Sequence, residues 1–309
     1  MPKNSGFKQG IVLQRTKGQH LLINPKIIDG IVEKSGIRGN DICLEIGPGT
    51  GNLTVKLLER CSKVIAVELD PRMAIELKKR VSGTELDKKL ELIQGDVLKV
   101  RLPFFTIVVA NIPYSISSPL IFRLLSIRPM FRCAVLMLQA EFAQRLVAKP
   151  NTPPYCRLTV NTGLLANVAH LMKVGKGNFR PPPQVDSAVV RIEPRQPEIQ
   201  VPYDEWDGLT RICFQRKNKT LGALFGNNNV VQMMEKNKKT FDALHHIIDE
   251  KQQILSSAVP GAEGITTKQQ ILSLLQSSDF NQKRANKMDL DDFLRLLQLF
   301  NEQGFHFTT

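Results

Sequence analysis

The densest chemistry in the sequence lies in "ANIPYS", Ala110–Ser115, directly after the apolar run "TIVVA". Asn111 offers a side-chain amide oxygen, and Ile112, held extended by the following Pro113, offers a backbone carbonyl beside it. Tyr114 adds a ring that can lie on the face of a flat heteroaromatic. Such a set suits the exocyclic amine of a nucleobase. The lone pair of that amine is delocalised into the ring, so it becomes a useful nucleophile only when its hydrogens are held and the lone pair is aimed. A base inside a duplex cannot reach such a pocket and has to be flipped out or already unpaired. Phe179, in "NFRPPP", is the candidate for a second stacking face, with Pro181, Pro182 and Pro183 stiffening its loop. Taken alone, N-x-P-Y is also an ordinary strand-ending turn, and a loop aromatic is also a core plug.

A second constellation precedes it. The run "ICLEI" leads into "GPGTG", where Gly47, Gly49 and Gly51 allow a tight turn and close approach of a ligand at the following helix N-terminus. The spacing is G-x-G-x-G, and Asn52 follows where a dinucleotide fingerprint requires further spacing before its third glycine, which weakens an NAD reading. Glu45, Glu68 and Asp96 each fall at the end of an apolar run, the rim where open α/β sheets bind ligands. Three carboxylates suit hydroxyl, amine and amino-acid groups, not a pyrophosphate. Together the loop and acids resemble the S-adenosylmethionine pocket of Rossmann-like methyltransferases. That resemblance implies that Glu68 takes the ribose hydroxyls and Asp96 the adenine amino group.

The elements that must position these residues are readable from periodicity. "DICLEIG", "KVIAVELD", "LELIQGD", "FTIVVAN" and "CAVLMLQ" read as strands buried on both faces, and their alternation with helical patterns predicts a parallel sheet. "GNLTVKLLER", "PRMAIELKKR" and "SPLIFRLLS" carry apolar residues three and four apart, as crossover helices do, and Pro71 suits a first helical turn. "HLMKVGKGNFRPPPQVDSAVVRIEP" reads as two strands around a Pro-rich loop, an antiparallel ending to the sheet. Beyond Pro194, "YDEWDGLTRICFQR", "KTLGALF", "TTKQQILSLLQS" and "DLDDFLRLLQLF" read as helices, with "GNNNV" and "SSAVPGAEGI" as loops. The expected organisation is a basic arm over 1–17, an α/β Rossmann-like class I S-adenosylmethionine-dependent methyltransferase domain over 18–194, and a small helical RNA-binding domain over 195–309.

Composition narrows the partners. In a chain of 309 residues with 42% hydrophobic content, a net charge of +13 favours a phosphate-bearing partner, nucleic acid before membrane or acidic protein. Two clusters carry the excess: Lys173, Lys176 and Arg180 around Phe179, and Arg211, Arg216, Lys217 and Lys219 in "RICFQRKNK". Phosphate contacts of this kind would position an RNA while the pocket chooses the base. The five cysteines are odd in number with no C-x-x-C pair, so neither a disulfide framework nor a zinc site is expected, and no metal is. No apolar run reaches the ~20 residues that span a bilayer, and the N-terminal residues show no signal-peptide pattern, so an intracellular, non-membrane protein is expected.

The chain resembles the small-subunit ribosomal RNA adenine dimethyltransferase family, its eukaryotic 18S branch in particular. "GQHLLINP", "LEIGPGTGNLT", "VIAVELD", "GDVLK", "ANIPYSISSPLIF", "LVAKP", "YCRLTVNT", "VGKGNFRPPPQVDSAVVRIEP", "EWDGLTRICFQRKNKTL" and "FNEQGFHF" carry the resemblance, which spans nearly everything from Gly18. It implies transfer of two methyl groups from S-adenosylmethionine to N6 of each of two adjacent adenosines in a hairpin loop near the 3′ end of the small-subunit RNA. It further implies a monomer acting on a pre-ribosomal particle in the nucleus or nucleolus. His20 and Leu22 would contact the methionine end of the cofactor, alongside Gly47, Gly49, Glu68, Asp96 and Asn111. Tyr114 and Phe179 would be the stacking pair. Ser115 and Ala140 depart from the family pattern, where Gln or Asn and a basic residue are usual. Three rivals remain at this stage: an N6-adenine DNA methyltransferase, which usually carries a separate base-recognition region; a macrolide-resistance type large-subunit rRNA dimethyltransferase; and a non-catalytic RNA-binding assembly factor.

Overall fold

The computed structural model describes residues 20–249 and 266–308, with the backbone alone over 244–249. The expected basic arm at 1–17 and the expected loop "SSAVPGAEGI" lie outside the described residues. The chain divides into two compact units, one ending at Val147 and resuming over Ala166–Gln196, the other formed by Ala148–Leu165 and the chain from Pro197 onward.

The first unit opens with β1 (Leu21–Leu22) and α1 (Pro25–Ser35), whose N-cap Asn24 accepts from the Lys26 N–H. There follow β2 (Ile42–Ile46), α2 (Asn52–Leu58), β3 (Lys63–Glu68), α3 (Pro71–Val81), β4 (Leu90–Gln94), β5 (Ile107–Asn111), α4 (Ser117–Ser126), β6 (Cys133–Gln139) and α5 (Ala140–Leu146). The unit closes with β7 (Ala166–Val174), β8 (Phe179–Arg180) and β9 (Ser187–Pro194). Seven strands form one sheet in the order β4-β3-β2-β5-β6-β9-β7. Contacts from β4 through β6 are parallel, and β9 runs antiparallel to both β6 and β7, the ending expected from the two-strand pattern around the prolines. Central strands are apolar throughout because helices cover both faces: Leu44, Val64, Val108 and Val135 are all fully buried. From β2 the sheet grows one way through β3 and β4 and the other way through β5 and β6. The carboxyl ends of β2 and β5 therefore meet at a topological switch point, where such sheets bind ligands. Pro71 stands in the first turn of α3, as expected, and Asp70 caps the helix through the Arg72 N–H.

The second unit contains α6 (Arg157–Leu165), α7 (Tyr203–Cys213), α8 (Leu221–Phe225), α9 (Asn228–Asp249), α10 (Thr267–Ser277) and α11 (Leu290–Glu302). Its core is rich in aromatics, with Trp206, Phe225, Phe293 and Phe300 all fully buried. The expected continuous domain over 18–194 requires correction at 148–165. Tyr155, Val160 and Leu164 pack into the core of Trp206 and Leu209. The Tyr155 hydroxyl donates to the Met288 carbonyl at 2.6 Å, and Asn161 bonds Asp207 and Thr210. "GNNNV", expected as a loop, already enters α9 at Asn228. Among the described residues no helix is long and apolar enough to cross a membrane.

Candidate active site

The glycine loop and "NIPY" line one cavity of the first unit, together with His20, Leu21, Leu22, Glu45, Glu68, Leu69, Asp70 and Met73. Left-handed backbone is required at Gly49 and Gly51, with φ of 57° and 86°. A Cβ at Gly49 would lie 2.7 Å from the Leu21 side chain, and one at Gly51 2.7 Å from Leu77, so side chains here would push the loop off both neighbours. Glu68 braces the turn: one carboxylate oxygen accepts from the Gly49 N–H at 3.1 Å and the other from the Asp70 N–H at 2.9 Å. Burial raises its carboxyl above the usual range, and these two amides oppose the rise.

Glu45, next to last in β2, is 1% exposed, and its Oε2 is buried without a hydrogen-bond partner among the described residues. Desolvation pushes its carboxyl up to about 8, opposed by the neighbouring Thr54 side chain and reinforced by the Glu68 charge. Beside these acids Leu69, 63% exposed, and the buried Met73 add apolar lining to the cavity. Sequence reasoning missed Leu69 and Met73; the only signal was an apolar residue set between the acids of "VELD".

On the other side of the cavity the Asn111 amide donates from Nδ2 to the His20 carbonyl at 3.2 Å. A carbonyl only accepts, so the NH₂ group must face it and Oδ1 is the end directed elsewhere. His20 Nδ1 lies 2.8 Å from the Pro181 carbonyl, and its ring stacks near Tyr114 with centroids 6.4 Å apart. The Tyr114 hydroxyl bonds Ser187 Oγ at 2.8 Å, which fixes the ring, and burial raises its phenol above the ordinary value. Ile112 is 2% exposed, and Pro113 follows it against Gly47.

Thus His20, Leu22, Gly47, Gly49, Glu68, Asn111, Ile112, Pro113 and Tyr114 share one cavity. Two predicted residues do not line it. Phe179 is 4% exposed in the core with Leu22, Val174 and Val189, because β8 pairs its backbone with Leu22 and turns its ring inward. Asp96, half-buried past β4, accepts the Leu98 N–H at 2.9 Å and so caps its own turn.

The family pattern "Ribosomal RNA adenine dimethylase" matches residues 12–257. The chain belongs to that family. This dimethylase is 51% identical to the dimethyladenosine transferase of Saccharomyces cerevisiae, with 94% of this chain and 89% of the relative covered. It is 50% identical to a ribosomal RNA small subunit methyltransferase of Arabidopsis thaliana, with 98% and 94% covered. The crystal structure of a dimethyladenosine transferase from Plasmodium falciparum superposes with a TM-score of 0.82 at 44% identity, covering 93% of this chain and all of that one. The 23S rRNA methyltransferase ErmE, at 24% identity and a TM-score of 0.61 over 91% of this chain and 99% of that one, shares the fold. The dimethylase is an S-adenosylmethionine-dependent enzyme that dimethylates adenine in ribosomal RNA. The cavity fits that cofactor: Leu69 offers an exposed apolar side chain for a purine, the loop offers backbone, and the unpartnered Glu45 oxygen offers an acceptor for a cation.

The dimethylase presents its expected basic residues unevenly. In the first unit Lys173, Lys176 and Arg180 are all exposed. In the second, Arg216 and Lys219 are exposed and, with Arg284, line a hollow of about 830 Å³. Arg211 is ion-paired with Asp207 at 2.9 Å. Lys217 lines the same hollow, and its ammonium also donates to the carbonyls of Pro153 and Tyr155 at 2.7 and 2.9 Å, tying the segment before α6 to the turn after α7.

Proposed function

We propose that the enzyme methylates N6 twice on each of two adjacent adenosines in a hairpin loop near the 3′ end of 18S rRNA. It does so as a monomer on a pre-ribosomal particle in the nucleolus. One observation supports the chemistry above the others: the Asn111 amide is oriented by the His20 carbonyl, which leaves Oδ1 as the acceptor beside Tyr114.

A flipped adenine lies against Tyr114, whose ring is held by Ser187. Asn111 Oδ1 and the Ile112 carbonyl accept the two N6 hydrogens, turning the lone pair out of conjugation and toward the donor. His20, Leu22, Gly47, Gly49 and Glu68 would hold the cofactor, with Glu45 available to its positive charge and Leu69 to its purine. When bound, S-adenosylmethionine supplies an electrophilic methyl group on a positively charged sulfur. N6 would accept that methyl group as its bond to sulfur breaks, with S-adenosylhomocysteine leaving and the N6 proton passing to water. The monomethylated amine keeps one hydrogen, so a single acceptor holds it for the second transfer. Lys173, Lys176, Arg180, Arg216, Lys219 and Arg284 bind RNA phosphates.

The test is methyl transfer to a hairpin RNA with two adjacent loop adenosines, compared with the same hairpin carrying purine riboside there. Methylation of the first and none of the second is expected; equal methylation of both would reject N6 as the acceptor.

A further inference from the structure

Residues 20–24 cross the cavity as a strap, and its attachment to the glycine loop runs through a side-chain relay that no cofactor-contact role explains. Asn52, the first residue of α2, donates from Nδ2 to the Leu22 carbonyl at 2.8 Å. Its Oδ1 accepts from Arg80 Nη1 at 2.7 Å. The same Nη1 donates to the Thr50 carbonyl at 2.9 Å, so one guanidinium on the last turn of α3 grips both the loop and the residue that grips the strap. The Arg80 stem passes Gly51, its Cδ 3.4 Å from where a Cβ would stand. Arg80 does not line the cavity, whereas His20, Leu22, Thr50 and Asn52 do.

The relay has a direction. Asn is a poor helix former, and here its side chain caps no amide of α2; both its polar ends are turned to other segments. The strap's other hydrogen bonds run to other segments: the His20 carbonyl to Asn111, the His20 ring to the Pro181 carbonyl, and Ile23 and Asn24 to Asn178. β1 is two residues long and pairs with β8, joining Leu21 and Leu22 to Arg180 and Phe179. Leu21 must rest within van der Waals reach of Gly49 for the cavity wall to close.

We infer that Arg80 and Asn52 are positioning residues of the methyl-donor site: they hold Leu22 and His20 over the glycine loop, so that the donor meets a finished wall. The inference rests on the reading of this cavity as the cofactor site. Arg80 acts only through Asn52 and Thr50, and it touches neither donor nor RNA base.

Calorimetry on the full chain with S-adenosylmethionine and S-adenosylhomocysteine tests this. Arg80→Ala and Asn52→Ala should each raise the Kd about tenfold, the scale of a hydrogen bond involving charge, and the double variant should be little worse than either single one. Asn52→Asp keeps the side-chain volume and the acceptor for Arg80 but sets an oxygen against the Leu22 carbonyl, so it should bind as weakly as Asn52→Ala. Arg80→Lys, which retains a donor, should recover part of the loss. In turnover, the cofactor KM should rise by more than kcat falls. Wild-type affinity in Asn52→Asp, or fully additive losses in the double variant, would overturn the relay. Glu68→Ala serves as the control: if it too leaves the Kd unchanged, the cofactor reading of the cavity fails and the inference with it; if it alone weakens binding, only the relay fails.

Discussion

Asn111 and His20, 91 positions apart in sequence, are joined by a hydrogen bond from the Asn111 amide to the His20 backbone carbonyl. It ties the end of β5 to the strap that crosses the glycine loop. The residue proposed to aim the substrate amine is thereby built into the wall of the donor cavity, and its amide cannot flip without losing that bond.

Tyr114 separates stacking from hydrogen bonding. Tyr114→Ala removes the ring and should raise the RNA KM by the equivalent of about 1–3 kcal/mol. Tyr114→Phe loses only the Ser187 bond, about 0.5–1.5 kcal/mol, and should retain most activity. Steady-state kinetics with a hairpin RNA checks this; equal damage in both variants would mean that the hydroxyl, not the ring, matters.

Glu68 has two tasks, since its oxygens brace Gly49 and Asp70 while it lines the cavity. Glu68→Ala should weaken S-adenosylmethionine binding by about 1.5–3 kcal/mol. Calorimetry on folded protein giving a wild-type Kd would remove Glu68 from the site.

Glu45 sets a pH dependence. Its folded-state pKa of about 8 lies above the ordinary 4.5, so between those values the folded protein keeps a proton that the unfolded chain releases. Stability without cofactor should therefore fall as pH rises through that window, with Glu68 contributing in the same direction. Glu45→Gln should remove the larger part of this slope. Urea midpoints at about pH 5 and about pH 8 measure it; identical slopes in wild type and variant would show that Glu45 is ionised in the fold.

Lys217 and its neighbours should part company. Lys217→Ala frees two carbonyls of the 148–165 segment and should cost about 1–2 kcal/mol of stability, discounted for partial exposure. The pair Arg216→Ala and Lys219→Ala should instead leave stability alone and flatten the salt dependence of RNA binding. Denaturation and salt titrations distinguish them; an unchanged salt slope in the pair would make both residues ordinary solvated charges.

Strands β2, β3, β5 and β6 were legible because burial on both faces writes itself as near-unbroken apolar runs, and the loop after β2 because its glycines stand where the backbone turns left-handed; β4, expected to be buried on both faces, is instead an edge strand with no fully buried residue. What escaped depends on partners distant in sequence. β1 and β8 have two residues each, too few for any period. Phe179 in a Pro-rich loop is equally a stacking ring or a plug until Leu22 pairs with it. Asp96 shares its strand-end position with Glu68, but a local turn engages its carboxylate. The membership of 148–165 is decided by what Val160 and Leu164 pack against, and the hold of Lys217 on two carbonyls by partners 64 and 62 positions away, neither of which a charge run reveals.

The most direct test of the central claim is mass spectrometry of nucleosides from hairpin RNA treated with wild-type enzyme and with Asn111→Ala, at saturating RNA and cofactor, with cofactor affinity measured in the same variant. Wild type should yield N6,N6-dimethyladenosine at both adjacent positions. Asn111→Ala should form it about a hundredfold more slowly, as when one fixed polar partner of a transition state is removed, with RNA affinity little changed. Monomethyladenosine as the only product, methyl on another base, or wild-type turnover in Asn111→Ala would contradict the account.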